Sequence, residues 1–347
     1  MQPRERGVRA LTSPLASRLY GRAPRLGDLA ARALARAILG ADASASADAE
    51  RNLRTAFPGW TAEACRDTAR ASVESQIRAD LTVRTLRTLT RDGIARLCAR
   101  EVSVLGMEHL KEVAKRGSPS VIFSPHYGEF VIGIIRVALE LVGRKEVHLF
   151  FDPPGRNPAN EGFKELFEKA CPNLRVIYND RFAVRHALKA LRAGQVLVMQ
   201  PDVYDVRGAV HYVPLFGRLA IAMAGTGFFA LHGGAPLVPA FCFRDGARRW
   251  SLRVDPPMEP VRGRDAEQDV YDTTALIWRV IERQLHARPE PWMYWMTLHQ
   301  NFAHDVTLPD LDAGWEPLLS ALAGPGGMRT PQIEALLDVM REPLPDR

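Results

Sequence analysis

Short apolar runs alternate with helix-like stretches over most of the chain after residue 100. The apolar runs have the length of buried β-strands, and they lie at 102–105, 120–123, 147–151, 174–178, 196–199, 237–243 and 250–254. Helix-like stretches at 130–142, 159–170, 182–193 and 221–231 separate most of them. This alternation predicts an α/β fold with a mixed, largely parallel central sheet that is flanked by helices.

The first 100 residues favour a helical N-terminal region instead. Arginines there are interleaved with leucine and alanine, at Arg18, Arg22, Arg25, Arg32 and Arg36. This pattern suits a helix on a membrane surface, or an ordinary helix that packs on the domain. Residues 42–48, rich in alanine and serine, resemble a connector. We therefore expect a helical region over 1–100, an α/β core over 101–305 with a long helix at 266–287, and a tail over 306–347.

The composition is that of a globular protein with a basic surface. Of the 347 residues 46% are hydrophobic, and the formal net charge is +6. Such a charge attracts the phosphate of a coenzyme, anionic lipid or an acidic carrier protein, although a solvated arginine-rich surface gives the same balance. The basic residues are scattered and match no nucleic-acid reader motif, so we expect no nucleic-acid partner.

The sequence predicts a cytoplasmic location. The four cysteines are far apart and have no metal-ligand spacing, which predicts free, mostly buried thiols in a reducing compartment. We expect no signal peptide, because no uninterrupted apolar core follows the early arginines. Residues 219–243 carry no charged side chain, but glycines and prolines should break them into a helix, a turn and a strand.

The segment 124–130 reads Ser-Pro-His-Tyr-Gly-Glu-Phe and lies between a strand-like run and a helix-like stretch. Such a turn holds an imidazole at the edge of a sheet, where it can take a proton from a hydroxyl. His126 is therefore a candidate general base, and Glu129 is a candidate partner for its ring. The alternative is a buried histidine whose hydrogen bonds are simply satisfied.

Two other residues follow strand-like runs. Arg181 precedes the stretch 182–193, where a basic side chain and backbone N–H groups suit a phosphate; a solvated helix face is the alternative. Asp202 lies after the run 196–199, where open α/β sheets place their ligands. It is suited to position a basic or hydroxyl group, and a metal site is the weaker alternative.

The pattern Gly225-x-Gly227-x-x-Ala230 has the letters of a dinucleotide fingerprint but comes late, inside an apolar helix-like run. We interpret its glycines as the result of close helix packing. The sequence has no GxSxG elbow and no Walker A loop. This argues against covalent serine catalysis and P-loop phosphoryl transfer.

In order and spacing, a set of short segments resembles the bacterial lipid A biosynthesis late acyltransferase family, whose relatives include enzymes that acylate phosphatidylinositol mannosides. The resemblance covers roughly residues 20–304. Segment 124–130 falls on the family's HX4D/E block, and Pro201-Asp202 with 213–217 resembles its "PD…vpffG" block. Further matches are Asn52-Leu53, Phe57-Pro58, 104–110, Arg156-Asn157-Pro158, Arg181 with 191–194, 234–239, and 288–292 with Trp295.

The resemblance implies a glycerolipid acyltransferase-like fold. It implies transfer of a fatty acyl group from an acyl carrier protein or coenzyme A thioester to a hydroxyl or amine of a lipid or glycolipid. His126 would be the base, with no acyl-enzyme, no metal and no cofactor besides the acyl donor. We expect the substrate or donor to contact Arg181, Asp202, Asn157, Arg156 and Tyr127.

Two features depart from the family pattern. The acid expected five residues after the histidine is Val131 here, so Glu129 is the nearest carboxylate. Typical members begin with a membrane-spanning helix, and this sequence shows none, so we expect a protein that is cytoplasmic or peripheral on the inner face of the membrane. Two alternatives stay open: a soluble tailoring acyltransferase of a natural-product pathway, and a non-catalytic acyl- or lipid-binding homologue.

Overall fold

The structure is a computed structural model and describes residues 23–115, 117–203, 209–263 and 265–307. Its N-terminal part is helical, as predicted, with α1 (Pro24–Ala41), α2 (Ala43–Ala56), α3 (Ala62–Thr88) and α4 (Arg91–Glu101). The predictions for Arg18, Arg22 and the tail fall outside the described residues, apart from the tail's first two positions.

The predicted connector at 42–48 is wrong, because helix α2 begins within it. The side chain of Asp42 accepts a hydrogen bond from the backbone N–H of Ala45 at 3.1 Å and caps this helix. Thr61 and Thr90 cap α3 and α4 in the same way. Each capping oxygen satisfies an N–H that the first helical turn leaves unpaired.

A seven-stranded sheet forms the centre of the α/β core. Its strands are β1 (Val102–Leu105), β2 (Ser120–Phe123), β3 (Val147–Phe151), β4 (Leu174–Tyr178), β5 (Val196–Met199), β8 (Leu237–Gly246) and β9 (Arg249–Val254). The order is β1-β9-β8-β2-β5-β3-β4, and each neighbouring pair is parallel except β8 and β9. The seven predicted runs are these seven strands, so the mixed, largely parallel sheet is confirmed.

Helices cover both faces of this sheet. They are α5 (Met107–Val113), α6 (Phe130–Glu140), α7 (Ala159–Ala170), α8 (Ala183–Arg192), α9 (Gly225–Gly233) and α10 (Ala266–Ala287). Along β2, Val121 and Phe123 pack into one hydrophobic cluster, and Ile122 packs into the other. Every residue of β2 is buried, as expected for a strand whose two faces are both covered.

A second, antiparallel sheet was missed by the sequence analysis. It has the order β10-β7-β6 and consists of β6 (Val210–Leu215), β7 (Arg218–Met223) and β10 (Phe302–Thr307), with a short 3-10 helix at Leu298–Gln300 just before β10. The helix expected at 221–231 is therefore wrong at its start, because Ile221 belongs to β7. The close helix packing expected at Gly227 is confirmed, since a Cβ there would lie 2.9 Å from Thr274 Oγ1 on α10.

The remaining fold-level expectations concern thiols and membrane spans. All four cysteines are free and buried, as predicted. Across the described residues, no helix combines the length and the apolar character that crossing a bilayer requires.

Candidate active site

His126 and Asp202 lie side by side because two neighbouring strands end at paired residues. Strands β2 and β5 are parallel, and Phe123 pairs with Met199. The Ser124 N–H then donates to the Met199 carbonyl at 3.0 Å, which keeps the two following loops together. His126 is three residues past the end of β2, and Asp202 is three residues past the end of β5. Equal offsets therefore bring the imidazole to the carboxylate.

The histidine and the aspartate form a two-point contact. The backbone N–H of His126 donates to Asp202 Oδ2 at 2.8 Å, and the His126 Nδ1 lies 2.9 Å from Asp202 Oδ1. The Asp202 side chain is fully buried, whereas 16% of the His126 side chain is exposed. A carboxylate on Nδ1 fixes the ring and leaves Nε2 as the free nitrogen. Asp202 therefore contacts the imidazole, as a residue that positions a basic group would. The expectation that it contacts the substrate or donor is wrong, because its side chain is fully buried and both oxygens are bonded inside the protein.

Trp292 is a third partner of this pair, and the sequence analysis gave it no role. Its buried indole N–H donates to Asp202 Oδ2 at 3.0 Å. The segment around Trp292 is bonded to the histidine loop through main-chain groups: Gly128 N–H to Pro291 carbonyl at 2.8 Å, and Met293 N–H to His126 carbonyl at 3.2 Å. These contacts hold the tryptophan in a fixed position relative to the imidazole.

Gly128 makes the turn from the histidine into α6 possible. Its φ is +58°, a left-handed conformation that glycine adopts without strain. A Cβ at this position would lie 2.3 Å from the Cys242 carbonyl oxygen on β8. Any other residue would push the histidine loop away from the sheet.

A cavity of about 460 Å³ opens beside His126. Its wall is mostly apolar, and Val131, the position where the family pattern has an acid, belongs to that wall. The principal apolar side chains come from α6 (Phe130, Val131, Ile134), α7 (Phe163, Phe167) and β3 (Phe150, Phe151). The spacing of the α6 residues puts them on one face of the helix. The His126 ring packs against Phe130, with 5.0 Å between ring centroids.

Polar groups line another part of this cavity. Asn157 is among them, as are Asp152 and Asn179. Arg156 lies next to them and is exposed; it contacts Asp152 Oδ1 at 3.1 Å and the Asn179 carbonyl at 2.9 Å. The structure therefore brings Asn157 to the cavity and Arg156 to its edge.

Arg181 lies outside the cavity wall. It is exposed just before α8, and its guanidinium stacks over the Phe182 ring at 4.6 Å from the centroid. Because β3 and β4 are parallel neighbours, this position is at the same edge of the sheet as the cavity. The structure thus leaves Arg181 accessible from solvent near the site.

Glu129 does not approach the imidazole, contrary to the expectation from the sequence. Its side chain is buried, and Oε1 lies 3.3 Å from Arg244 Nη1 on β8. Arg244 also reaches Asp28 Oδ1 of α1 at 3.5 Å. Burial raises the pKa of Glu129 to about 7, with Arg244 opposing part of this effect. The carboxylate on the His126 ring is that of Asp202.

Tyr127 is also placed differently from the expectation that it contacts substrate. Its hydroxyl donates to the Arg288 carbonyl at 2.7 Å and accepts from the Gln284 amide at 2.6 Å. The residue is 1% exposed, and burial raises the pKa of the phenol. With both hydrogen-bonding functions engaged inside the protein, Tyr127 ties the histidine loop to α10 and to the segment after it.

Fold and site together define an α/β protein with a histidine–carboxylate pair beside an apolar cavity. A family model described as bacterial lipid A biosynthesis acyltransferase matches residues 24–303, and the chain belongs to this family. The resemblance inferred from the sequence is therefore confirmed.

A comparison with curated proteins gives a named relative. The chain is 29% identical over 215 residues to the lipid A biosynthesis lauroyltransferase of Escherichia coli (strain K12). The match covers 60% of this chain and 63% of the relative, so the chain spans less than two thirds of the relative's length.

Proposed function

We propose that this protein is an acyltransferase that moves a fatty acyl group from a thioester to a hydroxyl or amine of a lipid or glycolipid. The observation that carries the proposal is the His126–Asp202 pair at the wall of an apolar cavity. Membership of the family supports the reaction class. Lipid is the favoured acceptor, since the name of the E. coli relative includes lipid A biosynthesis.

His126 acts as general base in the proposed reaction. Asp202 accepts a hydrogen bond from Nδ1–H and stays ionised, so Nε2 takes the proton of the acceptor hydroxyl as the hydroxyl oxygen attacks the thioester carbonyl carbon. The C–O bond forms, and the carbonyl pair moves to the oxygen as an oxyanion. When that pair returns, the C–S bond breaks, and the leaving thiolate takes the proton from the imidazolium. The products are a free thiol and an ester, or an amide where the acceptor is an amine, with no acyl-enzyme.

The cavity holds the acyl chain in this scheme. Its volume of about 460 Å³ lies within the usual range of ligand pockets, roughly 300–1,000 Å³. Each methylene that leaves water contributes about 0.8 kcal/mol to binding. An aspartate or glutamate at position 131 would put a charge in this apolar wall, whereas Val131 contributes to it. The non-catalytic alternative rested on the missing acid at that position, and Asp202 supplies a carboxylate from another strand.

The acyl donor is an acyl carrier protein or coenzyme A thioester, and both carry a phosphorylated arm. Arg181 is exposed at the same edge of the sheet as the cavity, and Arg156 lies beside the polar part of the cavity wall. We assign them to the phosphate of that arm, because arginine binds phosphate with paired, charge-assisted hydrogen bonds.

We further place the protein on the inner face of the membrane. Along α1, Leu26 and Leu29 are 67% and 59% exposed, and Arg25 and Arg36 are exposed as well. Apolar side chains flanked by arginine suit a surface of anionic lipid. Leu26→Gln with Leu29→Gln should abolish co-flotation with anionic liposomes; unchanged flotation would leave the soluble tailoring alternative in place.

Mass spectrometry of the products tests the proposal. A panel of acyl carrier protein and coenzyme A thioesters is incubated with a crude bacterial lipid extract and the wild-type protein. His126→Ala should abolish transfer, and Asp202→Asn should reduce it by about 10²-fold or more. Asp80→Asn on α3, in a half-exposed pair with Arg84, is the control and should stay active. Near-normal turnover by His126→Ala would overturn the proposal.

A further inference from the structure

Gln200 is a hydrogen-bond donor that nothing in the described structure satisfies. It directly follows β5, and its side chain lines the cavity that His126 also lines. Within the described residues, Gln200 Nε2 is shielded from solvent and has no hydrogen-bond partner. Buried amide N–H groups are nearly always paired, so this unpaired one beside a cavity is available to a group that arrives with a ligand.

A second glutamine, just before β5, differs from Gln200 in its hydrogen bonding. Gln195 immediately precedes the strand, and its side chain is half-buried like that of Gln200. Its Oε1 accepts from the Glu146 N–H at 2.7 Å, and its Nε2 donates to the Ala193 carbonyl at 3.2 Å. The Gln195 amide, before the strand, is therefore structural, whereas the Gln200 amide, after it, has a donor without a partner in the described part of the chain.

The position of Gln200 relative to the base is fixed by the sheet. Met199 pairs with Phe123, so Gln200 and Ser124 begin the two loops that carry Asp202 and His126. The amide thus lies two residues before the carboxylate that holds the imidazole. The last side-chain torsion of glutamine, χ3, has a broad range of allowed angles. Rotation about this bond presents the amide N–H groups to a ligand in the cavity.

We propose that Gln200 is a catalytic residue whose side-chain amide donates a hydrogen bond to the oxyanion that forms from the thioester carbonyl. This inference rests on the proposed acyl transfer. The negative charge appears on the carbonyl oxygen only after the acceptor has attacked, so a neutral donor at that place stabilises the transition state more than the bound thioester. Among the described residues, the amide N–H groups give up no hydrogen bond to do this.

The test compares Gln200→Met with Gln195→Met in the full chain. Methionine keeps the length of the side chain and removes the donor. Gln200→Met should lower kcat by about 10²- to 10³-fold, the usual effect of losing one oxyanion donor, with little change in the donor KM. Its melting temperature should stay level or rise, since an unpaired buried donor is gone. Gln195→Met should do the reverse, with a lower melting temperature and an unchanged kcat.

Each outcome separates the inference from the proposal beneath it. If the wild type transfers acyl groups, His126→Ala does not, and Gln200→Met keeps kcat within about threefold of the wild type, the inference alone is overturned. A Gln200→Met protein that melts earlier and loses activity in proportion would show a structural amide, which also overturns it. A wild type that turns over no thioester overturns both. Gln200→Glu should lose more activity than Gln200→Met, because a carboxylate repels the developing charge.

Discussion

Glutamine in place of Glu129 should stabilise the fold at neutral pH and leave it unchanged in acid. The pKa of the buried Glu129 carboxyl is about 7, against 4.5 for an ordinary glutamate. As pH rises from 4.5 to 7, the unfolded chain releases this proton before the folded chain does, so stability falls with pH over that window. Each pH unit between the two pKa values costs about 1.36 kcal/mol of folding free energy, so the stability lost by pH 7 is about 3 kcal/mol. Glutamine has the same shape and never ionises.

Urea unfolding of both proteins, from about pH 4 to about pH 8, measures this effect. Groups that titrate in both proteins cancel when the free energy of unfolding of the wild type is subtracted from that of the variant. This difference should be near zero at the acid end and about 2–3 kcal/mol at the neutral end, with equal m-values. Glu108→Gln is the control, because the Glu108 side chain is 74% exposed and its replacement should change the free energy of unfolding little.

An opposite trend would refute the reasoning. If the variant were less stable than the wild type at neutral pH, the Arg244 ion pair would outweigh the burial of the carboxylate. Arg244 keeps Asp28 and the Gly246 carbonyl as partners in the variant, which limits the cost of losing Glu129. Acyl transfer should stay within about threefold of the wild type, because Glu129 does not contact the imidazole. A fall in acyl transfer of about 10²-fold would show that Glu129 supports the imidazole after all.

Three further outcomes are expected. Trp292→Phe should lower kcat at least about tenfold, because it removes a hydrogen-bond donor from the buried Asp202 carboxylate. Trp295→Phe is the control and should lower only the melting temperature, since its indole bonds only a backbone carbonyl in the described structure. Enzyme kinetics and thermal melts of both variants measure these effects. Phe167→Ala should extend the cavity and favour longer donors by about fourfold per added buried methylene, measured in competition between thioesters. Arg181→Ala should raise the donor KM about tenfold by removing a charge-assisted hydrogen bond, with Arg192→Ala at the other end of α8 as the control; equal KM values would remove Arg181 from the donor site.

The strands of the central sheet were predictable from the sequence because both faces of the sheet are covered. A strand such as β2, buried along its whole length, appears as a continuous apolar run with turn residues after it. The second sheet gives no such signal. Pro214 lies inside β6, and proline argues against a strand except at an edge, which is where β6 lies. The apolar, alanine-rich β7 favours a helix until its hairpin pairing is known.

The candidate histidine was predictable, but its partner was not. Glu129 was chosen because it is near His126 in sequence, yet the turn at Gly128 carries it to Arg244. The correct signal was in the sequence: Ser124-Pro-His and Gln200-Pro-Asp each begin one residue after a strand-like run. The pairing of β2 with β5 converts these equal offsets into a contact, and that pairing cannot be read from either segment alone.

The bonds that fix His126 also decide when during synthesis the site can form. Trp292 and Asp202 are 90 positions apart, and the main-chain bonds from Pro291 and Met293 reach the histidine loop from the same late segment. Chains leave the ribosome from the N-terminus and fold as they emerge. A nascent chain that has emerged only through α9 has the imidazole and the carboxylate, but lacks the indole and the backbone groups that align them. Unfinished chains therefore lack the contacts that align His126, and so do proteolytic fragments that end before Trp292.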